Sequence, residues 1–393
     1  LEAQLFASAG VDLAAYTGLD PEAAGPEAFA PFLARPPVWP TQPDVLTPAP
    51  EPTASPTRVT VVPPAPRTEP TLAPPALLRR FEVPTRDEWI GCCVALAWPR
   101  AEELWGIDFG DGVPLDASRF DVRTGERLGA LEAAEGSERF AITHSGEVLA
   151  LVPGWKPEIL RLGAAGRRLG PIPLPFDREW ELKDLAAAPD GSIWLVDNRS
   201  LELHHIEASG DHVASWSFEE ALRYFGDGGY RVAAAPDGAV WVLSWTRLLR
   251  FSPDGRLLGA IGAPRLELGP EDFRAPMDLA LDAVGRAYVL EGTGRLRVFE
   301  PDGSELARWQ AFDAPRRAGE DGDWVRAALG LGPAGEIAVA ELPGHPGGDG
   351  SHAGVGGRIH IFAPLDAGAG RPVATPFRGD RHGFLPSIGL RQP

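Results

Sequence analysis

Asp197, Glu291 and Glu341 each stand six residues after a glycine, namely Gly191, Gly285 and Gly335. Carboxylate oxygens at matched positions of a repeat are the ligand type that a hard divalent cation such as Ca2+ takes. An ion held there would polarise a carbonyl group and activate water. Val152 and Ser244 occupy the same position after Gly146 and Gly238, so the set of carboxylates is incomplete. The competing reading is local, because an acidic residue at a strand end also caps its own turn.

Both readings depend on the units that carry these positions. The stretch RVAAAPDGAVWVLSWTRLLRFSPDGRLLGAIG, residues 231–262, reads as four short β segments split at Asp237-Gly238, Ser244-Trp245-Thr246 and Pro253-Asp254-Gly255. Asp-Gly supplies the positive φ of a tight hairpin turn, so the unit is a four-stranded antiparallel meander. Copies begin at Glu138, Asp184 and Asp278, and a looser one spans Cys92 to Glu132. The turn glycines Gly146, Gly191, Gly238, Gly285 and Gly335 are spaced 45, 47, 47 and 50 residues apart. A four-stranded unit of about 40–50 residues has the period of a propeller blade, and six copies close a ring.

A single blade cannot bury both faces of its sheet, so the blades must stack around an axis. Trp194 and Trp241 hold equivalent positions in consecutive units, as Trp216 and Trp309 do in outer strands, and all four read as core wedges. Residues Leu77 to Val83, LLRRFEV, are the expected closing strand, placed beside the last blade formed by residues 326 to 375.

The pattern A-x-x-P-D-G-x-[IV]-[WY]-V followed by R-[IL]-x-[VR]-F-x-P-D-G resembles the NHL-repeat type of six-bladed β-propeller over residues 80 to 375. More broadly it resembles the superfamily that includes gluconolactonase-like enzymes. The resemblance implies an all-β propeller. It also implies one enzymatic option, a metal-dependent hydrolase with a divalent cation such as Ca2+ on the axis, held by Asp197, Glu291 and Glu341. The commonest NHL blade carries an Asp-Thr-Gly-Asn-Asn-Arg turn before its third strand. Asp197-Asn198-Arg199, Ser244-Trp245-Thr246 and Glu291-Gly292-Thr293 stand there instead, so turn-borne functional residues of the family do not carry over.

The 393 residues have a formal net charge of −18 and only two lysines, Lys156 and Lys183, which argues against nucleic acid or an anionic membrane as partner. Cys92 and Cys93 are adjacent and form no disulfide framework; they read as buried thiols of an inner strand. No apolar run reaches membrane-spanning length, and a cytoplasmic or particle-associated location is expected. His204 and His205 should point to opposite faces of their strand, and His345, His352 and His360 flank a glycine-rich insertion with no recognisable ligand spacing. G-x-S-x-G, H-E-x-x-H and P-loop signatures do not occur.

Four segments follow: residues 1–35 with short helices, a proline-rich extended arm over 36–76, the propeller over 77–375, and a tail over 376–393. The arm is too rich in proline to pack as a regular element and is expected as an extended spacer or strap. Within it Trp39, Val45, Leu46, Val59 and Val61 are the candidate partner-binding residues, the last two in a strand-like run able to add to a sheet edge. The function expected first is a non-enzymatic scaffold propeller that needs no cofactor. Its arm would tether it to other proteins of a larger assembly, such as a phage-tail-like or other multi-subunit particle.

Overall fold

The computed structural model describes residues 72–83, 95–110, 113–154, 156–175, 181–218, 231–262, 272–313, 326–342 and 357–365. The expected N-terminal helices, the arm up to residue 71, Cys92, Cys93, His345, His352 and the tail lie outside them.

Six four-stranded antiparallel sheets make up the described structure. Blade 1 comprises Ala95–Arg100, Glu103–Gly110, Val113–Asp121 and Arg127–Ala130. Blade 2 comprises Arg139–Ile142, Val148–Val152, Glu158–Leu162 and Arg168–Ile172. Leu182–Ala187, Ile193–Asp197, Glu202–Ile206 and His212–Ser217 form blade 3. Arg231–Ala234, Val240–Leu243, Leu248–Phe251 and Leu257–Ile261 form blade 4. In blade 5 the strands are Pro276–Leu281, Ala287–Glu291, Arg295–Phe299 and Glu305–Gln310. Blade 6 takes Arg326–Leu331, Ile337–Leu342 and Gly357–Phe362 from the C-terminal side.

The fourth strand of blade 6 is Leu77–Val83, antiparallel to Gly357–Phe362 with Arg80 opposite His360. The segment that follows the arm therefore closes the ring. First strands touch in cyclic order, blade 1 to 6 and back to 1, and each is the innermost strand of its blade.

Turn chemistry sets the strand ends. At the first turn of blade 3, Gly191 sits at φ 88°, and its N–H donates to the Ala188 carbonyl at 3.0 Å. Asp190 Oδ1 accepts the Ser192 N–H at 2.9 Å. The aspartate organises the turn and the glycine supplies the conformation that a side chain would strain.

Burial follows the blade boundaries. Each of the six interfaces holds one hydrophobic cluster among the described residues. Trp105 belongs to the cluster between blades 1 and 2, Trp194 to that between 3 and 4, Trp241 to that between 4 and 5, and Tyr288 to that between 5 and 6. Trp194 and Trp241 are buried wedges, as their repeated position predicts.

The outer strands of blades 1 to 5 share one irregularity. Each skips one residue of register against the third strand, at Leu128, Leu169, Val213, Leu258 and Leu306. This is a β-bulge, one extra residue on the outer strand opposite the regular third strand.

Candidate functional site

The meander places the glycine turns on one face of the disc and the ends of the second strands on the other. Asp197, Glu291 and Glu341 stand on this second face, at or one residue short of the ends of their strands. Asp197 is buried. Its Oδ1 accepts the N–H groups of Glu181 and Arg199, each at 3.0 Å, and its Oδ2 accepts the Ser200 hydroxyl at 2.8 Å.

Glu291 is fully buried and accepts through Oε2 from Arg274 N–H at 3.1 Å and Arg295 Nε at 2.9 Å. Its Oε1 is buried with no hydrogen-bond partner among the described residues. Burial pushes the Glu291 carboxyl up from the ordinary range, against the opposing pull of Arg295. Glu341 Oε1 receives Arg358 Nη1 and His360 Nε2, each at 3.0 Å. Arg358 also approaches Glu82 of the closing strand at 3.3 Å, and the Glu341 charge raises its guanidinium further.

Each carboxylate is thus engaged inside its own blade, and Ser244 does the same work in blade 4, where its hydroxyl accepts the Arg247 N–H at 3.1 Å. Among the described residues no group of three or more His, Cys, Asp or Glu is disposed to hold a metal ion. The donor set does not fit a shared cation, since Arg295 and Arg358 already neutralise two of its members. Trp39, Val45, Leu46, Val59 and Val61 lie outside the described residues. His204 and His205 point to opposite faces: His204 Nδ1 lies 2.6 Å from Ser215 Oγ, whereas His205 stacks on Trp194 at 4.2 Å.

A second set of charges stands seven residues before the turn glycines, on the innermost strands: Arg139, Asp184, Arg231 and Asp278. They alternate in sign from blade 2 to blade 5, and Ala328 takes the position in blade 6. Val232 N–H donates to Asp184 Oδ2 at 2.9 Å, and Leu329 N–H donates to Asp278 Oδ2 at 2.8 Å. Each aspartate therefore links its blade to the next one beside the axis. Arg231 Nε lies 3.5 Å from Asp278 Oδ1. Burial pushes Asp184 up to about 6, while Arg139 and Arg231 pull the other way. The signal was present in the sequence as the residue seven before each glycine. It is blurred by a register shift at Lys183 and Met277, one residue before each aspartate.

No family model and no curated protein matches the sequence. Among solved structures the chain is similar to U3-55K, with a TM-score of 0.50 and 11% identity over 74% of this chain and 100% of that one. It is also similar to a gluconolactonase from Xanthomonas campestris, with a TM-score of 0.49, 16% identity, and 77% and 99% of the two chains covered. Virginiamycin B lyase from Staphylococcus aureus gives 0.46 and 13% identity over 72% and 98%. The chain is a six-bladed β-propeller. At these identities the likeness concerns the fold alone. The propeller has no helix among its described residues that is long and apolar enough to cross a membrane.

Proposed function

We propose that this propeller is a non-enzymatic interaction scaffold, tethered through its N-terminal arm to a larger protein assembly such as a multi-subunit, phage-tail-like particle. The observation that carries the reading is the closure. The arm runs directly into Leu77–Val83, which is the outer strand of blade 6, so a load on the arm falls on the strand that locks the ring. Six apolar interfaces make the disc rigid, which suits a part that presents surfaces rather than one that must close over a substrate.

The hydrolase reading is supported by a single atom, the buried Oε1 of Glu291. Against it stand the arginine partners of Glu291 and Glu341. Affinity capture with the full chain and with residues 72–393 tests the tether, the second bait retaining the residue that packs on blade 5. A calcium titration of the full chain tests the alternative.

A further inference from the structure

Among the described residues, the bulge of blade 5 is covered by a segment that precedes the closing strand. Leu72 N–H donates to the Leu306 carbonyl at 3.1 Å, and both side chains pack on the cluster between blades 5 and 6. The run Leu72-Ala73-Pro74-Pro75 thus leads from the outer edge of blade 5 to the closing strand. Its prolines keep it extended, and a main-chain bond to a bulge carbonyl fixes its register.

Blades 1 and 2 repeat the receptor half of this contact. Arg127-Leu128-Gly129 and Arg168-Leu169-Gly170 are the same tripeptide on equivalent outer strands. The bulge leucines are 45% and 36% exposed, large for apolar side chains in a disc whose interfaces are otherwise filled. The glycines behind them lie at φ 141° and 136°, and an added Cβ would meet nothing within 4 Å. Glycine in an edge strand with open space beside it admits close approach by another backbone. An exposed strand edge with an apolar residue is also a template for pairing that a protein normally blunts.

We propose that the outer edges of blades 1 and 2 form a docking surface for an extended segment of a partner protein. The segment carries a leucine or valine followed by prolines and pairs through main chain as Leu72 does on blade 5. The proposal rests on the scaffold reading and names one surface that it uses. The apolar side chain covers Leu128 or Leu169, its N–H meets the bulge carbonyl, and Arg127 or Arg168 favours an acidic residue upstream.

The probe is the synthetic peptide Glu-Pro-Thr-Leu-Ala-Pro-Pro-Ala, titrated into the full chain by calorimetry. Saturable binding is expected, weakened at least about tenfold by Leu128→Asp with Leu169→Asp and left unchanged by Val284→Asp, an exposed change on a turn of blade 5. Should the double variant fail to fold, the peptide N-methylated at its leucine serves with the unaltered protein, and the same tenfold loss is expected. Absence of saturation up to about millimolar peptide, or equal binding by variant and parent, overturns the proposal. Self-association of the full chain that the double variant abolishes assigns the edges to a second copy and overturns it too. If captured assembly partners are unaffected by the double variant, the scaffold reading stands and this surface is removed from it.

Discussion

Asp184 of blade 3 accepts the main-chain N–H of Val232 in blade 4, and the pair is buried beside the propeller axis. Asp278 repeats the contact on Leu329 two blades further on, so the same device links blades 3 to 4 and 5 to 6. Arg139 of blade 2 and Arg231 of blade 4 supply the opposite charge.

Removing one such link should leave a buried donor without its acceptor. Asp278→Ala is expected to cost about 3 kcal/mol, because it also strips Arg231 of a neighbouring charge. Urea denaturation followed by tryptophan fluorescence measures it, and a loss below about 0.5 kcal/mol would show that the aspartate carries no such role.

The elevated Asp184 carboxyl has a pH signature. Its folded value of about 6 lies above the ordinary aspartate value of 3.8, so the native state holds its proton over a range where the unfolded chain has lost it. The stability it contributes is complete below about 3.8 and disappears as pH rises through about 6. Relative to Asp184→Asn, the unaltered protein should therefore lose stability between pH 4 and pH 7, by up to about 3 kcal/mol. A difference that grows with pH would contradict this.

Two glycines separate backbone strain from packing. Gly191 and Gly255 have φ of 88° and 80°, but a Cβ on Gly191 would meet nothing within 4 Å, whereas on Gly255 it would fall 1.8 Å from Trp216 Cδ1. Gly191→Ala should cost about 1 kcal/mol and Gly255→Ala at least about 3 kcal/mol, both read by thermal or urea unfolding.

Glu341 should matter for closure. Glu341→Ala removes the acceptor of Arg358 and His360 and leaves Arg358 facing Glu82 alone. Because Arg358 is substantially exposed, its share is discounted, and a total loss of about 2 kcal/mol is expected. Amide exchange should accelerate first in Leu77–Val83, and uniform acceleration around the ring would argue against a local role.

The fold was legible because propeller blades advertise themselves locally. Pro-Asp-Gly turns, two-residue alternation and a tryptophan three residues after Gly191 and Gly238 recur at one period, and Leu77–Val83 reads as a strand without a partner of its own. The strand-end carboxylates were legible as positions but not as contacts. Arg295 and Arg358 reach Glu291 and Glu341 from the third strand, and sequence spacing alone does not say which way those side chains point. The axial aspartates were missed because their acceptors serve the next blade, 48 and 51 residues away, and because a register shift precedes each of them.

The most direct test of the scaffold account is affinity capture from the source cells with two baits, the full chain and residues 72–393, after matched melting curves establish that both fold. The account predicts a defined set of proteins retained by the full chain and lost, at least about tenfold in yield, with the shorter bait. Equal sets on the two baits would contradict the tether. Empty baits together with saturable calcium binding that Glu291→Gln abolishes would overturn the scaffold in favour of the metal-dependent hydrolase.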